Sequence, residues 1–161
     1  MHIWTIENWK KYYNISDSNH RTGLRIRFDK SVNANVKRAV KDFAGWMRYE
    51  YFFPIRIPIY IKDKYRIIAK DGDKVCGTFF GPENICDEPY IRIAVGDYDY
   101  LLNKRPIDDV LASYLSVIAH ELTHYYQWAN GLELTPIGEE RQATMYARYI
   151  MDEYAETREH P

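Results

Sequence analysis

Ile118-Ala119-His120-Glu121-Leu122-Thr123-His124-Tyr125-Tyr126-Gln127 is the stretch on which the reading of this chain turns. It carries H-E-x-x-H inside an uninterrupted helical pattern. Two histidines four residues apart stand one above the other on a single helix face, so both rings can reach one ion. Glu121 follows His120 by about 100° of helix rotation. That is near enough to touch a water on the ion without binding the metal. Leu111, Leu115, Ile118, Leu122 and Ala129 form an apolar stripe, while Ser113, Ser116, Val117, His120, Glu121, His124 and Gln127 share the other side. A chance H-E-x-x-H usually falls in a loop or out of phase with such a stripe. Here the phase holds, and a metal site is expected ahead of a surface His/Glu cluster.

Two histidines leave a catalytic zinc one protein ligand short, since such sites use three and keep one position open. Gln127 and Asn130 occupy the positions where a metzincin extension would place Gly and His, which excludes that class. Asn130-Gly131 reads as a helix stop and Thr135-Pro136 as the next helix start. The short loop between them implies an antiparallel hairpin. At 1.5 Å per residue His124 lies roughly 9 Å before the joint and Glu140 roughly 7.5 Å after it, so they face each other. Asp152 and His160 lie too far along. Glu140 is therefore the expected third ligand, with Glu139 and Glu133 as alternatives. Glu140, Ala143, Thr144, Ala147 and Met151 would share one face, its small residues allowing close approach.

His120-Glu121-Leu122-Thr123-His124, followed by Glu140-Arg141-Gln142-Ala143-Thr144-Met145-Tyr146-Ala147, resembles the gluzincin pattern of H-E-x-x-H plus a downstream E-x-x-A helix. Among small domains it is similar to the minimal zincins, including the ImmA/IrrE-type metallopeptidases. It departs from them at Thr144, where those relatives often carry Asn or Asp. The resemblance implies a zinc metallopeptidase with a sheet-and-helix first half and a helical second half. His120 and His124 would be ligands, Glu121 the general base and Glu140 the third ligand. It also implies that an extended peptide pairs with an exposed sheet edge, for which Tyr90 to Val95 is the candidate strand.

The length suits one domain, residues 1–161, with a sizeable core. No apolar run approaches a membrane span, and residues 1–7 lack the basic start and apolar core of a signal peptide. Cys76 and Cys86 are too few for a disulfide framework and are expected as buried or half-buried free thiols. A cytoplasmic location follows as an expectation. Lys and Arg outnumber Asp and Glu by 15 to 6 in residues 1–70 and are outnumbered 7 to 17 in residues 71–161. Such asymmetry can mark a nucleic-acid surface. Mutual complementation of the halves is the favoured reading, with Arg25 and Arg27 on a solvated strand face.

The expected elements make an α+β fold. A helix over residues 4–14 has Thr5 as cap, with Trp4 stapled onto Trp9. A strand follows from Gly23 to Asp29, then a long helix from Asn33 to Tyr51 with Ser31 as cap. Ile55 to Lys62 is a strand that Pro58 suggests is an edge or bulged. Tyr65 to Ala69 and Lys74 to Phe80 flank an Asp71-Gly72-Asp73 hairpin turn. Glu83 to Glu88 is a loop and Tyr90 to Val95 a further strand. Residues 96–106 connect to the H-E-x-x-H helix and the second ligand helix. About four or five strands would thus form a small twisted mixed sheet.

The expected chemistry is zinc-assisted hydrolysis of a peptide or protein substrate, with Glu121 as base. Tyr98, Tyr100, Tyr125, Tyr126, Tyr146 and Tyr149 are candidate donors to a developing oxyanion. The rival reading is a zincin-fold module that binds a partner, such as a DNA-bound protein, without cutting it. A structural zinc needs a fourth His or Cys ligand, and none lies at suitable spacing.

Overall fold

The computed structural model describes residues 1–84 and 87–161. Chain order runs through a 3₁₀ turn at Asn8–Lys11, β1 (Leu24–Phe28), α1 (Ala34–Glu50), β2 (Ile57–Lys62), β3 (Ile67–Ile68), β4 (Lys74–Val75), β5 (Gly77–Phe80), β6 (Tyr90–Ala94), α2 (Tyr98–Leu102), α3 (Ile107–Ala129) and α4 (Pro136–Ala155). The α+β class is as the sequence leads one to expect. β1, β2, β6 and β5 form a mixed four-stranded sheet in that order, and β3 pairs with β4 in a separate two-stranded sheet.

Alternating isoleucines build the centre of the sheet. Ile57, Ile59 and Ile61 in β2 and Ile91 and Ile93 in β6 are fully buried, while Tyr60 between them faces outward. That period of two puts one sheet face in the core. Against it pack α1, which touches β1, and α3, which touches β5 and β6. Val36, Val40, Phe43 and Met47 of α1 are buried at helical spacing. One apolar cluster runs from Ile3 and Trp4 to Ile150 and Tyr154, so both ends of the chain close on the same core.

Several boundaries differ from the sequence reading. Pro58 sits inside an interior strand, because β1 and β6 flank β2 on both sides in parallel. The Ile57 N–H donates to Gly23, so Pro58, one residue on, turns its missing donor toward β6. Pairing with β6 starts only at Ile59, and the proline costs no ladder bond. The expected strand Lys74 to Phe80 is two strands, β4 and β5, which join different sheets on either side of Cys76. Tyr90 to Val95 is no edge: β6 lies between β2 and β5, and the edge beside it is β5. Residues 96–106 hold the short helix α2. The side chain of Asn33, not Ser31, caps α1 by accepting from the Asn35 amide.

Near the amino terminus the expected helix shrinks to the 3₁₀ turn, because its tryptophans go to different places. Trp4 stacks on Tyr126 with ring centroids 5.1 Å apart and donates from Nε1 to the Thr123 hydroxyl at 3.0 Å. Trp9 packs near Phe52, and its amide donates to Asn130 Oδ1. Tertiary contacts with α3 thus override the local staple. Cys76 is an exposed free thiol rather than a buried one, and Cys86 lies outside the described residues.

Close packing of β5 on α3 makes Gly77 sensitive. A Cβ there would meet Val117 Cγ1 at 2.6 Å and Ile93 Cδ1 at 2.9 Å. Gly77→Val is expected to destabilise the protein by about 1–3 kcal/mol through overpacking, read as a lowered chemical-denaturation midpoint at unchanged m-value. An unchanged midpoint would show that β5 does not press on α3.

Candidate metal centre

The site rests on the hairpin of α3 and α4. α3 ends in a Schellman turn: Gly131 takes φ +62°, Leu132 N–H donates to Gln127 O and Gly131 N–H to Trp128 O. Thr135 then caps α4 by accepting from the Gly138 amide at 3.0 Å, with Pro136 at the first helical position. Buried Ala143 and Ala147 let the helices approach closely. Both caps stand where the sequence places them.

The hairpin brings three side chains together. His120 Nε2 lies 3.2 Å from Glu140 Oε2, and His124 Nε2 lies 3.0 Å from Glu140 Oε1. One ligand atom from each residue falls within a 4.8 Å group that can hold a metal ion. Glu139 and Glu133 do not join this group among the described residues. Two imidazole nitrogens and a carboxylate oxygen suit zinc. Two ligand atoms on a tetrahedral zinc stand roughly 3.4 Å apart, so each histidine needs to part from the Glu140 carboxylate by only a few tenths of an ångström. Glu140 is mostly solvent-exposed and has no competing cationic partner among the described residues.

Glu121, next along α3, is buried beneath this group at 8% exposure. Burial pushes its carboxyl up to about 7, and the Glu140 charge adds to the rise, while His124 and a hydrogen bond with the Phe79 backbone oppose it. Burial and the neighbouring His124 lower the His120 imidazole, which favours the neutral form that a metal binds. The arrangement holds a carboxyl poised near neutrality beside a ligand set with an open side.

Gln127 fixes His124. Its Nε2 donates to the Glu139 carbonyl at 3.0 Å and to Gln142 Oε1 at 2.9 Å. With the amide nitrogen so committed, its Oε1 faces His124 Nδ1 at 2.8 Å. Nδ1 must then carry the proton, which leaves the Nε2 lone pair for an ion. Gln127→Leu is expected to weaken zinc binding roughly ten- to hundred-fold, the usual cost of losing such a support, measured by competition with a chromogenic chelator. Gln127→Glu keeps the acceptor toward His124 but loses both donor contacts to α4, and its affinity should fall between those of wild type and Gln127→Leu. Equal affinity in wild type and Gln127→Leu would remove Gln127 from the site.

A cleft of about 990 Å³ opens over these residues. Phe79, Trp128 and Leu132 line one end, Val75 and Val117 the other, and Arg148 reaches in from α4. No tyrosine is among its described lining residues. The six candidate tyrosines are placed elsewhere: the Tyr125 hydroxyl donates to Ile55 O, Tyr126 to Phe52 O and Tyr146 to Met1 O. Tyr98 lies beside Asn35, Tyr100 against Tyr65 and Tyr149 against His2. Among the described residues Thr78, Ser116, Thr144 and Arg148 are donor side chains that line the cleft without a hydrogen bond inside it. β5 forms its wall. Ala94 N–H donates to Cys76 O, so alternate residues Gly77 and Phe79 turn their backbone groups to the open edge. Sequence reasoning missed β5 because its four residues read as the tail of a longer hairpin strand. Gln127 was visible on the histidine face, but its partners across the hairpin were not.

No protein-family model, no curated protein and no solved structure matches this chain.

Proposed function

We propose that this protein is a zinc-dependent metallopeptidase that cleaves a protein or peptide substrate. The observation that carries this reading is the convergence of His120, His124 and Glu140 beside the buried Glu121, in one cleft walled by the edge strand β5. His120, His124 and Glu140 would hold the ion, which when bound acidifies a water and polarises the scissile carbonyl. Glu121 would serve as the base that accepts a proton from an attacking water and returns it to the leaving amine. A carboxyl near neutral pKa suits both transfers. The outward N–H of Gly77 and the outward carbonyls of Gly77 and Phe79 would take an extended substrate as an added antiparallel strand, while the Phe79 N–H is held by Glu121. β5 thereby replaces β6 as the substrate-pairing strand.

A non-cleaving module has no use for a buried carboxyl next to the ligand set, and the binding reading is weaker on that ground. Among the described residues no helix is long and apolar enough to cross a membrane. The test is a digest of peptide libraries and candidate proteins with zinc-loaded wild type, chelated wild type and Glu121→Gln. Cleavage only by the first supports the reading, and cleavage that survives both treatments ends it.

A further inference from the structure

Among the described residues no helix covers the sheet face turned away from α1 and α3, which β3 meets at Arg92, and its side chains follow a pattern. In register, Arg27, Tyr60, Arg92 and Thr78 form one row across the four strands, while Arg25 stands opposite Pro58 and Tyr90 opposite Phe80. Cations and aromatic rings therefore share this outer surface, with Arg25, Arg27 and Tyr60 exposed and Tyr90, Phe80 and Arg92 half-buried. We propose that this face is a binding platform for single-stranded nucleic acid.

Charge supports a polyanion. Arg25 and Arg27 are exposed, and neither has an acidic partner among the described residues, unlike Arg56 with Glu88 and Lys62 with Asp29. The complementation expected between the basic and acidic halves of the chain does not engage them. Arg92, half-buried, donates to the Ile68 carbonyl and has no acidic partner among the described residues, and Lys70 extends the positive field with its Nζ 4.0 Å from the Phe80 ring centroid. A groove of about 300 Å³ joins Arg25, Arg27, Arg56, Tyr60 and Tyr90. Its one acid, Glu88, is already clamped by Arg56 through both carboxylate oxygens, at 2.9 and 2.7 Å.

The aromatic rings select among polyanions. Tyr60 is 38% exposed and its ring centroid lies 6.2 Å from that of Tyr90, which in turn lies 5.0 Å from Phe80. Rings set among arginines on an open sheet offer stacking surfaces to unpaired bases while the guanidinium groups meet phosphates. An acidic peptide would use the charges and leave the rings idle. A duplex hides its base faces, and among the described residues this surface presents no helix to a groove. The platform lies across the sheet from Glu121 and its neighbours, so it does not depend on the metallopeptidase reading.

The test is fluorescence anisotropy with end-labelled oligo(dT) and oligo(rU) strands of about twenty nucleotides, the full chain as titrant, and a same-length duplex and polyglutamate as competitors. Binding near micromolar strength at about 50 mM salt and weakening steeply by 200 mM is expected. Single strands should compete better than duplex or polyglutamate. Arg25→Glu with Arg27→Glu should weaken binding more than about tenfold and flatten the salt dependence. Tyr60→Ala should weaken it roughly five- to hundred-fold with the salt dependence unchanged. Tyr60→Leu, which keeps the apolar bulk and guards against misfolding, should lose affinity similarly. Absence of binding at about 100 μM chain in low salt overturns the proposal. So does binding indifferent to the arginine reversals, or binding that duplex and polyglutamate match and the Tyr60 variants leave unchanged.

Discussion

Glu121→Gln should bind zinc and fold as the wild type does while peptide hydrolysis falls by roughly two to four orders of magnitude, the contribution of a positioned general base. The amide keeps the shape of the carboxyl and can still meet the backbone of β5, but it cannot accept the proton of an attacking water. Retained fold is expected because removing a titratable group at 8% exposure relieves a desolvation cost instead of creating one. The measurement pairs metal content and thermal midpoint with a digest of the same substrate pool. Undiminished cleavage would take Glu121 out of the chemistry. Loss of zinc together with activity would mean that Glu121 supports the ligands rather than the reaction.

His120→Ala or His124→Ala should abolish stoichiometric zinc binding, and chelation of the wild type should lower its thermal midpoint. An ion bound only by the folded chain stabilises by mass action, about 4 kcal/mol at a thousandfold excess over its dissociation constant. The acids of α4 provide the sharper comparison. Glu140→Gln should weaken zinc binding far more than Glu139→Gln, because only Glu140 reaches both imidazoles, whereas Glu139 meets the site through its backbone carbonyl. Similar affinities for the two variants, or a reversed order, would mean that the metal is held by another set. Elemental analysis of purified variants with chelator competition distinguishes these outcomes.

The hairpin and its cluster were legible in the sequence because every signal involved is local. Helical phase, a glycine stop, a Thr-Pro start and a fixed rise per residue place Glu140 opposite His124 without any long-range information. Elements set by distant partners were not legible. Trp4 reads as a helix staple, yet it serves Thr123 and Tyr126, more than a hundred residues away. Pro58 reads as an edge signal because a sequence cannot show that its neighbour begins one residue later. β5 is the instructive case, since the break at Cys76 depends on which sheet each half joins. The tyrosines failed as candidate donors for a related reason. A phenol on a helix looks available until the loop that receives its proton is known, as with Tyr125 and Ile55.

The free edge of β5 also bears on how the protein behaves at high concentration. An unpaired strand that can receive a peptide can equally receive the same strand of a second copy, the usual seed of edge-to-edge aggregation. The chain limits that hazard by keeping β5 to four residues, too short to template a long ladder. It also sets the strand against α3, so that an incoming segment must fit a walled cleft and not a flat, open margin. Lengthening β5, or withdrawing that wall, would turn a selective groove into an adhesive border.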